Sequence, residues 1–133
     1  MLAVEGGTSP RELTVLLVED EVLTRLMLAD ELRSQGLQVL EASNADEALT
    51  VLHSSLLVHL LFTDIRMPGE MDGVALAKFA HARFPGIESI IGSSGRPEQS
   101  VGDFADAFLA KPCDLRELAE QVRRLLGESD YEQ

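Results

Sequence analysis

Asp64 closes an apolar run, Leu57 to Thr63, and Ile65-Arg66-Met67-Pro68-Gly69 then turns the chain. A run of that length and apolarity fits a strand buried on both faces, as in a parallel sheet. Three other stretches end the same way: Thr14–Val18 stops at Glu19-Asp20-Glu21, Ile87 to Gly92 stops at Ser93-Ser94-Gly95, and Ala107–Ala110 stops at Lys111. Open α/β sheets bind ligands at the carboxyl ends of their strands, so these residues are expected to share one crevice. Carboxylates converging there repel one another and raise each other's pKa, which a hard divalent cation relieves. Carboxylate oxygens, a carbonyl and waters suit Mg²⁺. Lys111 brings a point positive charge that suits phosphate, and the Ser93 hydroxyl can donate to a phosphoryl oxygen. An ionised aspartate is also a competent nucleophile. Glu19, Asp20, Asp64, Ser93 and Lys111 together fit an aspartyl-phosphate site, with Asp64 attacking in line and metal and lysine neutralising the phosphoryl oxygens.

The elements that must position these groups alternate. After the first strand, Val22 to Gln35 is rich in Leu, Met, Ala and Glu, and Gly36 stands where a helix C-cap glycine belongs. Gln38 to Leu40 is a short second strand. Asn44 with Glu47 forms a capping-box pattern, and Ala45, Ala48, Leu49 and Leu52 line one helical face. Asp72 caps a helix from Gly73 to Arg83 with Leu76, Ala80 and Phe84 along one side, and Pro85-Gly86 breaks it. The stretch from Arg96 to Asp106 contains Pro97 and Gly102 and few large apolar residues, so a long helix is not expected there, and its backbone is expected to be the most mobile internal part. Asp114 with Glu117 opens a last helix with the apolar stripe Leu115, Leu118, Val122, Leu125 and Leu126. Five strand–helix alternations predict an α/β, flavodoxin-like (βα)5 doubly wound parallel five-stranded sheet in the order 2-1-3-4-5, its fourth helix short or irregular.

Length and composition bound the rest. The 133 residues fit one domain, expected over 12–127, between a flexible segment 1–11 and a tail 128–133. No run is long enough for a membrane span, and the start lacks the pattern of a signal peptide. A net charge of −12 disfavours nucleic acid and anionic lipid as partners. The single cysteine, Cys113, excludes an internal disulfide and fits a reducing cytoplasm.

The motifs Val18-Glu19-Asp20-Glu21, Thr63-Asp64-Ile65-Arg66-Met67-Pro68-Gly69, Met71-Asp72-Gly73, Ser93-Ser94-Gly95 and Lys111-Pro112 occur in that order on those elements. The sequence resembles the receiver domains of two-component response regulators, from about Glu12 to Leu126. The resemblance implies that Asp64 accepts the phosphoryl group. It implies that Asp20 ligates the metal directly with Glu19 beside it, and that the main-chain carbonyl of Arg66 completes the site. Ser93 then corresponds to the switch hydroxyl, Phe108 to the switch aromatic, and Lys111 to the phosphate-binding lysine, with a cis bond to Pro112. It implies Mg²⁺ as cofactor and a sensor histidine kinase or phosphotransfer protein as donor. The product is a phosphorelay protein that catalyses only its own phosphorylation and dephosphorylation.

Departures are visible. Gly69-Glu70-Met71-Asp72-Gly73 is one residue longer than the commonest form, so that loop is expected to bulge. The segment from Ser93 to Phe108 is short, which puts the usual output geometry in question. Glu19 stands where aspartate is more frequent. No sequence after Leu126 has the length of a DNA-binding domain, so a stand-alone receiver acting through an unknown downstream protein is the expectation. Two other classes are weaker. A haloacid-dehalogenase-type phosphatase would need an acid where Arg66 stands, and a flavodoxin-like binding module would need a phosphate loop where Glu19-Asp20-Glu21 stands. Blander readings hold elsewhere: Arg66 as a rim side chain, His59 as a satisfied structural histidine inside its strand, His53 and His81 as surface residues, and Cys113 as a packing residue.

Overall fold

The computed structural model describes residues 13–67, 69–93, 105–110 and 114–127, with Ile91 and Ser93 described in their backbone. In chain order the elements are β1 Thr14–Val18, α1 Val22–Ser34, β2 Gln38–Ala42, α2 Ala45–Leu52, β3 Leu60–Asp64, α3 Gly73–Arg83, β4 Glu88–Ser93, β5 Ala107–Ala110 and α4 Leu115–Leu125. The strands form one sheet in the order β2-β1-β3-β4-β5, and every pairing is parallel. This is the expected order 2-1-3-4-5 of a doubly wound sheet.

Side-chain alternation along the central strands builds two cores. Val15 and Leu17 of β1, Leu60 and Phe62 of β3, Ile90 and Leu109 face Leu28 and Leu32 of α1 and Leu118 and Val122 of α4. Leu16, Val18 and Leu61 face Ala45, Ala48 and Leu52 of α2 and Leu76 and Ala80 of α3. Both faces of β1 and β3 are therefore covered, which is why those strands read as continuous apolar runs.

The caps follow their chemistry. Asn44 Oδ1 accepts from the Glu47 N–H at 2.8 Å, while Glu47 Oε1 reaches back to the Ser43 N–H at 2.7 Å, one residue before the cap. The Ser43 N–H and then the Ser43 hydroxyl, donating to that carboxylate, hold the Glu47 pKa below the ordinary value. Asp72 Oδ1 accepts from Ala75 N–H at 2.9 Å and Asp114 Oδ1 from Arg116 N–H at 2.8 Å. Helix α1 ends in a Schellman motif, with Gly36 at φ +88°, Gly36 N–H donating to Arg33 and Leu37 N–H donating to Leu32.

Three strands differ from the sequence reading, β4 only by a one-residue shift from Ile87–Gly92 to Glu88–Ser93. β2 runs on to Ala42, because Glu41 and Ala42 pair with Leu17 and Val18. β3 begins at Leu60 and not at Leu57, since Leu56 and Leu57 are exposed by 55% and 71%. His59 therefore lies just before the strand, still with a structural role. Its Nδ1 accepts from the Thr14 N–H at 3.0 Å, and its own N–H donates to the Thr14 carbonyl at 2.9 Å. His53 and His81 are exposed, as expected. The fourth helix and, apart from Ala105 and Asp106, the mobile segment expected between β4 and β5 fall outside the described residues, as do the Lys111–Pro112 bond, Cys113, the whole of segment 1–11 with its neighbour Glu12, and the tail.

Candidate functional site

The register brings Glu19, Asp20, Asp64 and the Ser93 backbone to one end of the sheet. Val18 pairs with Thr63, so Glu19 and Asp64 follow at one level, and Asp64 itself pairs with Gly92. Ser93 is one residue beyond that level and pairs with Ala110, the residue before Lys111. Carboxylate oxygens of Glu19, Asp20 and Asp64 all lie within 4.8 Å of one another, with Glu19 buried, Asp64 half-buried and Asp20 exposed. The Ser93 side chain and Lys111 lie outside the described residues.

Each acid is held by its backbone. Glu19 continues the β1 ladder, its N–H donating to the Ala42 carbonyl at 3.0 Å. Its side chain turns back so that Oε2 accepts from the Glu21 N–H at 3.1 Å. Asp64 is the last residue of β3, and its Oδ1 accepts from the Arg66 N–H at a long 3.4 Å. Asp20 sits on the turn into α1, where the Glu21 carboxylate accepts from the Thr24 hydroxyl. Phe108 is half-buried and packs with Ile65, Val74 and Ala105 around Ala77 of α3. Arg66 is exposed, as expected of a rim side chain.

Two residues that the motif reading left without a role support this geometry. A Cβ on Gly73 would stand 1.7 Å from the Asp64 carbonyl oxygen, and the Gly73 N–H donates to the Ile65 carbonyl at 2.8 Å. The first turn of α3 therefore lies directly on the backbone that carries Asp64. The available signal was a glycine, a poor helix former, placed straight after a capping aspartate. Arg25 of α1 donates from Nη1 to the Glu19 carbonyl at 2.9 Å and from Nε to Glu41 Oε1 at 3.1 Å. Glu41 also pairs with Arg33 at 3.1 Å. No sequence spacing announces that clamp, because Glu41 comes from β2.

Three clustered carboxylates offer only hard oxygen donors, a set that suits Mg²⁺ far better than a softer metal. Such a site can gather a cation and a phosphoryl group beside an aspartate nucleophile. A family description, the response regulator receiver domain, matches residues 15–123. The chain belongs to that family. This receiver is 36% identical over 123 residues to the sensor kinase CckA of Brucella abortus, covering 88% of this chain and 13% of that protein. It is 34% identical to the transcriptional regulatory protein AruR of Pseudomonas aeruginosa, covering 84% of this chain and 48% of that one. The receiver thus spans less than half of either relative. Among solved structures, a CheY-like receiver domain protein from Methanospirillum hungatei superimposes with a TM-score of 0.82 at 27% identity, covering 92% of this chain and all of that one. The response regulator TrrA from Thermotoga maritima, solved with Mg²⁺ and BeF, gives 0.77 at 29% identity, covering 85% and 98%. Membership places the receiver in two-component phosphorelay signalling, as a regulatory phospho-accepting domain. No helix among the described residues is long and apolar enough to cross a membrane.

Proposed function

We propose that this receiver accepts a phosphoryl group on Asp64 from the phosphohistidine of a sensor kinase or phosphotransfer protein, and that the phosphorylated form changes its affinity for a downstream protein. The observation that carries the reading is the trio Glu19, Asp20 and Asp64, gathered within 4.8 Å at the carboxyl ends of β1 and β3. A carboxylate oxygen of Asp64 forms the new P–O bond as the P–N bond to the donor imidazole breaks. Glu19, Asp20, Asp64 and the main-chain carbonyl of Arg66 would hold Mg²⁺, which when bound supplies positive charge against the phosphoryl oxygens. Lys111 adds a second positive charge there. Ser93 and Phe108 act afterwards, the hydroxyl moving to the phosphoryl group and the ring repacking. A single cysteine fits a cytoplasmic setting for this chemistry.

Labelling with acetyl phosphate and Mg²⁺ tests the assignment. Wild type should be labelled and Asp64→Asn should not. Lys111→Ala should lower labelling, whereas Ser93→Ala should keep the label and lose the accompanying conformational change. Label that persists in Asp64→Asn overturns the site. Equal loss in the Lys111 and Ser93 variants overturns the division of roles.

The donor's approach is supported by α1. Its Val22, Leu23, Leu26 and Met27 are exposed by 49% to 71%, and the helix starts directly after Asp20. An apolar face of that size beside a charged site fits a partner that must present its phosphohistidine to Asp64.

A further inference from the structure

At the opposite pole, an open groove of about 400 Å³ lies between the end of α2, the approach to β3 and the end of α3. Leu52, Leu56, Leu57, Val58, Phe84 and Ile87 supply its apolar lining. Leu56 and Leu57 are its most exposed walls, and together with the four residues on α1 they are the large apolar side chains most open to solvent among the described residues. A loop is normally polar, so two adjacent exposed leucines beside a groove need a reason that folding does not give. Folding in fact leaves them out of β3.

The charge around the groove is the second observation. The chain carries −12 overall, and Glu88 and Asp106 at this end of the sheet face each other and Arg124, yet residues 48–63 and 73–87, which supply the groove lining, contain no Asp or Glu. They contain Lys78, Arg83 and all three histidines, His53, His59 and His81. Two of these, His53 and Arg83, reach the wall through Phe84 and Phe79. The His53 ring meets Phe84 edge-on at 6.0 Å and Phe79 at 5.7 Å, and the Arg83 guanidinium lies over Phe79 at 5.3 Å. An apolar trough flanked by the Arg83 guanidinium and lined by no carboxylate, on an otherwise acidic protein, selects its occupant by charge.

We infer that this amino-end groove docks an acidic amphipathic segment of another protein, its apolar side chains against Leu56, Leu57 and Phe84 and its carboxylates towards Arg83 and His53. A second copy of this chain is a poorer occupant, because the exposed face of its α1 mixes Asp30 with Arg33 and so lacks charge of one sign. The groove shares no residue with the Asp64 site, so the inference stands whether or not the phosphorylation reading holds.

The test uses the ¹⁵N-labelled full chain without phosphodonor or metal. It is titrated with two helical peptides of one leucine pattern at i, i+4 and i+7, one with glutamates on its other face and one with lysines. The glutamate peptide should move the amides of residues 52–59 and 84–87, and the lysine twin should bind about tenfold more weakly. Leu57→Ser should weaken the glutamate peptide about tenfold, and Arg83→Ser about threefold. Both side chains are exposed, and a thermal melt of each variant confirms the fold. Unmoved groove amides, or equal binding of the two peptides, overturn the inference. So do shifts of the same amides on simple dilution, which assign the groove to a second copy. Overhauser contacts in the free chain between the groove methyls and residues 1–12 likewise overturn it, by assigning the groove to the chain's own N-terminal segment.

Discussion

Gly73 shows how one missing methyl group shapes the site. Alanine is the better helix former by about 1 kcal/mol, so helix propensity alone favours Gly73→Ala. The added Cβ would stand 1.7 Å from the Asp64 carbonyl oxygen and 2.9 Å from the Ile65 Cα, and both obstacles are backbone. Backbone cannot rotate away as a side chain can, so α3 or the end of β3 must move. Gly73→Ala should cost ~3 kcal/mol in urea unfolding and should lower labelling at Asp64. Unchanged stability and labelling would show that the first turn of α3 is free to shift. Glu88 tests a different residue-scale effect, at the amino end of β4. Burial, and then the like charge of Asp106 and a hydrogen bond to it, push its carboxyl above the ordinary value of 4.5, while Arg124 opposes them. A group raised on folding contributes stability that is full below its unfolded pKa and lost as pH rises through its folded pKa. Wild type should therefore lose stability relative to Glu88→Gln as the pH climbs above 4.5. Urea midpoints for the two proteins across that range give the difference, and a constant difference would contradict the proposed cause.

The elements were legible where local chemistry decides them. Caps at Asn44, Asp72 and Asp114 and the stop at Gly36 follow from side chains within a few residues of one another, and each was readable as a spacing. The strand order followed from alternation alone, and the acidic trio from the rule that strand ends converge. What escaped was decided by pairing partners distant in sequence. The extra residues of β2 are held by β1, and β3 starts late, at Leu60, where its pairing with Val15 begins. The Arg25 clamp joins α1, β2 and the acidic turn, three elements at once. Arg25→Ala should test whether that clamp positions the turn: it removes the donor to the Glu19 carbonyl and leaves Glu41 with Arg33. Mg²⁺ affinity should fall about tenfold, as for other groups that orient metal ligands from outside, with a smaller loss in urea midpoint. Arg25→Lys, which keeps the charge but not the two-directional fork, should recover stability more than affinity. Equal recovery of both would reduce Arg25 to a structural residue.

The whole molecule has two poles with different chemistry, held apart by strands buried on both faces. The carboxyl ends collect Glu19, Asp20 and Asp64, and the amino ends carry an apolar groove with His53, His59 and Arg83 beside it and the pair Glu88 and Asp106 at the starts of β4 and β5. Helix α1 belongs to the acidic pole through its first turns, and its open face of Val22, Leu23, Leu26 and Met27 is separate from the buried stripe of Leu28, Ala29 and Leu32. That separation makes a discriminating experiment possible. A small phosphodonor needs only the crevice, whereas a protein donor must also seat itself beside it. Leu23 is exposed by 71%, so replacing it with serine leaves both cores intact. Leu23→Ser should leave labelling by acetyl phosphate at the wild-type rate. The same substitution should slow phosphotransfer from a cognate phosphorylated histidine protein about tenfold, the loss expected when one well-buried leucine contact at an interface is removed. Equal slowing with both donors would mean that the substitution disturbs Asp20 through the helix start. No slowing with either would move the docking surface away from α1.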